Sequence, residues 1–70
     1  MSEYSLIGVD GNAFCVMGYV TKAMKREGKT ETEIKEYRDK AMASDYHHLL
    51  RISSRMVEDL NAKIEEEEMF

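Results

Sequence analysis

The residue types that could do chemistry fall into four groups: the Asp10-Gly11-Asn12 turn, Cys15, the Asp45-Tyr46-His47-His48 stretch, and the basic residues Lys22, Lys25, Arg26, Arg51 and Arg55. Asp45, His47 and His48 are metal-ligand types. Adjacent residues on a helix, however, project about 100° apart. No second histidine stands at i+4, so a solvated helix face is expected rather than a metal site. Cys15 with a histidine and an acid would make a nucleophilic set, but no spacing brings the three together, and 70 residues leave little room for a substrate cleft. The Asp10-Gly11-Asn12 turn could offer free amides to an anion. A single glycine is too few for a phosphate loop, and Asp10 would repel the ligand. No catalytic residue, cofactor site or metal site is expected.

The basic residues form two candidate interaction surfaces. Lys22, Lys25, Arg26 and Lys29 cluster where a first helix should end, and their simplest role is to complement its dipole. His47, His48, Arg51 and Arg55, with Tyr46 and Ser54, share the exposed side of a third helix. A short turn before that helix is compatible with a helix-turn-helix reading the DNA major groove. The turn lacks the usual glycine, the helix is long, and Glu58 and Asp59 share the same face. A charge-mixed solvated face is therefore the first expectation, and the DNA reader the second.

These groups must be positioned by one small domain. The net charge of −4 is concentrated in Glu65 to Glu68; without those four, ten acidic residues balance ten basic ones. A general attraction to nucleic acid, which needs a basic surface, is not indicated. With Cys15 the only cysteine, no intramolecular disulfide can form, and a reducing, cytoplasmic setting is expected. No signal-peptide pattern and no apolar run near ~18 residues is present, so no membrane association is expected. A domain of about this size buries only roughly 60% of its unfolded surface. Association with a protein partner or with a second copy would supply what a small core lacks.

The fold class expected is mainly α, with a short N-terminal extended or β segment and helices over about 13–27, 31–43 and 45–64. Residues 4–9 are β-prone, and either pair with a copy in another subunit or lie extended across the helices. Asn12 should cap the first helix and Gly28 should end it. Ala13, Val16, Met17, Val20, Ala23 and Met24 form its apolar stripe, while Phe14, Cys15, Gly18 and Tyr19 fall outside that stripe. Residues 13–20 carry no charge at all, and a helix apolar all round is normally surrounded by partners. Gly18 costs about 1 kcal/mol relative to alanine, which suggests close approach of another backbone.

Thr30 and Glu33 match a capping box for the second helix, whose narrow stripe is Ile34, Tyr37 and Ala41, with Met42 at its edge. Ser44 or Asp45 caps the third helix, which repeats Leu49, Leu50, Ser53, Met56, Val57, Leu60 and Ile64 at helical spacing. The expected core is Ile7, Val9, Phe14, Val16, Met17, Val20, Met24, Ile34, Tyr37, Leu49, Leu50, Met56, Val57 and Leu60. Helix 1 is expected to be central and helix 3 longest. The domain is expected to span 1–64, followed by an acidic, frayed tail over 65–70.

The pattern Val9-Asp10-Gly11-Asn12-Ala13-Phe14, then Gly18, Glu33-Ile34, Tyr37, Ala41, Asp45-Tyr46 and Leu49-Leu50 resembles a family of small bacterial and phage proteins found in prophages and other mobile elements. Ser44 and His47 stand where that pattern has a glycine and an acidic residue. The resemblance implies a mobile-element context and no catalytic residue. Together these readings point to a non-enzymatic, homo-oligomeric interaction or accessory module, with a helix-turn-helix regulator as the alternative.

Overall fold

The computed structural model describes residues 4–68 and contains three helices, α1 (Ala13–Arg26), α2 (Glu31–Ala41) and α3 (Tyr46–Glu68). Each boundary has a local cause. The Asn12 side chain accepts the Phe14 amide at 2.8 Å, and the Asp10 carboxylate in turn accepts the Asn12 amide at 2.9 Å. A polar cap of this kind contributes about 1 kcal/mol. At the other end Gly28 adopts φ +83°, which lets the Lys29 amide reach the Met24 carbonyl and its own amide the Lys25 carbonyl. This pair of bonds is the Schellman closure. Both halves of the Thr30–Glu33 capping box form, at 3.1 and 3.3 Å. Asp45, not Ser44, caps α3 by accepting the His48 amide at 3.0 Å.

The third helix is 23 residues long and continues through Glu68, four residues past its expected end. No glycine or proline stands there to stop it, and Ile64 extends the buried stripe. Residues 1–3 of the expected domain and 69–70 of the expected tail lie outside the described residues.

The helices run up, down and up. α3, rather than the expected helix 1, is central: α1, α2 and the N-terminal segment all pack on it. That segment forms no strand. The Tyr4 amide donates to Asn61 Oδ1 at 3.0 Å while the Asn61 side-chain amide donates to the Tyr4 carbonyl at 2.8 Å. One asparagine thus satisfies both backbone groups of Tyr4, as a sheet neighbour would. The Ser5 amide donates to the Tyr19 hydroxyl at 3.0 Å, and then the chain turns, with Val9 N–H bonded to the Leu6 carbonyl and Gly8 at φ +86°. Glycine at the third position with that φ is what a type II turn requires. Tyr4 itself is buried, its hydroxyl on Glu27 at 2.7 Å, its ring edge-on to Tyr19 and under the Arg26 guanidinium at 5.9 Å.

The core comprises Tyr4, the α1 residues Val16, Met17, Val20, Ala23 and Met24, the α2 residues Ile34, Tyr37 and Ala41, and Leu49, Val57, Leu60 and Ile64 of α3. Each large apolar side chain fully buried contributes roughly 1.5–3 kcal/mol. Ser53 is completely buried, bonded to the Tyr37 hydroxyl at 2.6 Å. Burial pushes the Tyr37 phenol above its ordinary range, and the Ser53 bond offsets part of that rise. Val9, Leu50 and Met56 are only half-buried and pack against this core.

Three expectations are corrected. Ile7 is 93% exposed because it occupies the tip of the Leu6–Val9 turn. Phe14 is 79% exposed, lying about 120° around the helix from the centre of the α1 stripe. Gly18 is exposed and has no backbone against it: a Cβ there would meet nothing within 4 Å.

Candidate interaction surface

Among the described residues four large apolar side chains are exposed: Ile7, Phe14, Met42 and Tyr46. Three of them converge. α1 begins, α2 ends and α3 begins at the same end of the bundle, and an apolar groove of about 290 Å³ opens between them. Ala13, Phe14 and Met17 supply one wall, Ala41 and Met42 another, and Ser44, Asp45, Tyr46 and Leu49 the third. Each element delivers its residue for a local reason. Asn12 starts α1 so that Phe14 falls beside the stripe. Met42 is the C-cap of α2, where the last buried residue is Ala41. The Tyr46 hydroxyl donates to the Gly11 carbonyl, which ties the first turn of α3 to the turn before α1 and holds the groove's edge. Asp45 is the single charged residue in the lining, and it is engaged as the α3 cap.

Two of the other grooves differ in kind. One, between α1 and α2, mixes Lys25, Lys35 and Arg38 with Glu31 and Asp39; another, between α2 and α3, mixes Lys29, Lys40 and Arg55 with Glu33, Glu36 and Asp59. Alternating signs of this sort make a solvated surface rather than a field that selects a charged ligand.

The basic residues singled out from the sequence are not brought together. Lys22, Lys25 and Arg26 are exposed at the C-terminal end of α1, opposite the groove, where Arg26 stacks on Tyr4. His47, Arg51 and Arg55 are exposed along α3. His48 is half-buried, and its Nε2 donates to the Lys40 carbonyl at 2.8 Å, satisfying a backbone group at the end of α2. It serves the α2–α3 connection, so it is not available to a ligand in the same way as its neighbours. Among the described residues no group of three His, Cys, Asp or Glu could hold a metal ion. Cys15 is exposed on the outer side of α1.

Phe14 and Met42 are residues that a search for reactive types does not select, and Tyr46 enters it only as a neighbour of the histidines. A signal for Phe14 was present in the uncharged run 13–20, where it lies off the stripe. The convergence of the three was not, because it depends on which helix ends meet. No family model, curated protein or solved structure matches this chain. Among the described residues no helix is long and apolar enough to cross a membrane.

Proposed function

We propose that this chain is a non-enzymatic helical interaction module of phage or mobile-element origin, which engages a protein partner through the groove bounded by Phe14, Met42 and Tyr46. One observation carries the reading. Among the described residues three of the four exposed large apolar side chains border one groove, although exposed apolar residues are ordinarily scattered singly. An apolar hollow with an aromatic anchor beside it is the arrangement that concentrates binding energy at protein interfaces. The mobile-element origin rests on the Val9 to Phe14 pattern and its resemblance.

Photo-crosslinking tests this. A benzophenone amino acid at position 14 or 42, in cells expressing the chain, should give protein adducts of defined mass; the same group at position 36 or 51 should not. Equal adducts from all four positions, or none, would remove the groove as the working surface.

A helix-turn-helix regulator is the competing reading, supported by the short connection 42–45 and by His47, Arg51, Ser54 and Arg55 lying exposed on α3. Glu58 and Asp59 share that exposed side, and one histidine of the set is engaged with Lys40. Duplex DNA binding that falls steeply with salt, and that Arg51→Glu with Arg55→Glu abolishes, would establish this reading in place of the first.

A further inference from the structure

We infer that the occupant of the groove is a second copy of this chain, joined by a two-fold axis that inserts the Phe14 of each copy into the other's groove and brings the two α1 helices together at Gly18. This rests on the interaction reading above and names its partner.

The first support is shape. A projecting ring, 79% exposed, stands directly beside an apolar hollow on the same patch. A two-fold contact uses one patch twice, so it needs both a knob and a hole within that patch. This patch has both.

The second support is charge. From Asn12 to Thr21 the chain has no charged residue, and the groove's single carboxylate, Asp45, is held by the amide end of α3. Next to a two-fold axis a charged side chain meets its own duplicate, so the face that lies on the axis must carry little charge. The first half of α1 meets that condition, and the charges beside Met42 on the α2 side, Arg38 and Asp39, are of opposite sign. The acidic run 65–68 reinforces the point. It lies at the far end of α3, about 30 Å along the helix from Tyr46. Pairing at the groove end keeps the two tails well beyond the ~8 Å screening length.

Third, Gly18 lies exposed one turn beyond Phe14 with open space where a side chain would be. In the free chain it weakens α1 without return. Against a second α1 it removes the side chain that would hold the helices apart.

Area sets the strength. Taking about 200 Å² per large side chain, the exposures of Phe14, Met42 and Tyr46 leave roughly 350 Å² of apolar surface on each copy. Covering it in both copies, with a polar rim in ordinary proportion, gives a total near ~1,200 Å². That is the low end of specific interfaces, the range of reversible, concentration-dependent association.

Sedimentation equilibrium on the full chain, from about 5 to about 500 μM, decides the matter. The mass should rise from 8.1 kDa toward twice that value. Phe14→Glu and Met42→Glu should each weaken association roughly a hundredfold with unchanged far-UV circular dichroism, since both side chains are exposed. Gly18→Trp, which fills open space in the free chain, should do the same. A short bifunctional thiol reagent should join two copies through Cys15 in the wild type and fail to do so in Met42→Glu. A chain that is monomeric at every concentration, or association that survives all three variants, overturns the inference. A monomer whose positions 14 and 42 still photo-crosslink to another protein overturns the second copy alone. A monomer without such adducts overturns the interaction reading as well.

Discussion

α1 and α3 each turn one face to solvent, and the two faces are built differently. The outer side of α3 carries His47, Arg51, Ser54, Arg55, Glu58 and Asp59, a mixture of signs that water solvates well. The outer side of α1, in its first half, carries Phe14, Cys15 and Gly18, and charge returns only at Lys22. Both helices bury one ordinary stripe. The difference therefore cannot come from the core, which is satisfied on both. A side chain that is apolar and outside the stripe reports something other than folding. This separates the charged residues of α3, which attract attention as chemistry, from the quiet residues of α1, which carry the interaction reading.

The sharpest test of that separation compares two deletions of large apolar side chains. Leu60→Ala, at a position 1% exposed, should cost about 3–4 kcal/mol and lower the melting midpoint by more than ~12 °C. Phe14→Ala should cost under about 0.5 kcal/mol in dilute protein, where no partner is present. A loss above ~1.5 kcal/mol for Phe14→Ala in thermal melts would place that ring in the monomer's core and end the contrast.

Next in size is the clasp on the inner side of α3. Asn61→Ala removes both bonds to the Tyr4 backbone and should cost about 2 kcal/mol in urea unfolding, with faster amide exchange at Tyr4 and Ser5. Two glycines then give opposite signs. Gly18→Ala should stabilise dilute protein by about 0.5–1 kcal/mol, because it gains helix propensity and meets nothing. Gly28→Ala should destabilise by about 1 kcal/mol, because φ +83° is strained for any residue with a Cβ. If the two substitutions act in the same direction, Gly18 is constrained already in the monomer.

The buried Tyr37 supplies a pH dependence that the outer faces should lack. Its folded pKa is raised above the ordinary 10.0, so the folded state keeps a proton that the unfolded state releases. Its contribution is fully present below pH ~10 and is lost as pH rises through and beyond that value. Tyr37→Phe should flatten this alkaline fall in chemical denaturation. The smallest effect is expected for Arg51→Glu with Arg55→Glu, which should change stability by less than about 0.5 kcal/mol, as exposed charges generally do. The same double variant should leave self-association untouched; a large loss would shift the working surface to α3.

Much of the fold was legible locally. Asn12, the Thr30–Glu33 box and Gly28 mark helix ends by hydrogen bonds within a few residues, and all three stand where a helix begins or ends; for α3 the sequence leaves Ser44 and Asp45 as alternatives, of which Asp45 is the cap. The candidate surface was legible only in part. The uncharged run around Phe14 is visible, but it points to core, because apolar residues on all sides of a helix usually mean burial on all sides. The role of Tyr4 was not visible, since it depends on Asn61, 57 residues away.

The sequence by itself determined three helices, the caps of the first two and the stripe each one buries, because those depend on interactions spanning one or two turns. Only the tertiary structure decided that α3 is central, that Tyr4 packs on Asn61 ahead of a turn at residues 6–9, and that Phe14, Met42 and Tyr46 border one groove. Those outcomes depend on which helix ends meet. That is set by long-range packing, which no local spacing encodes.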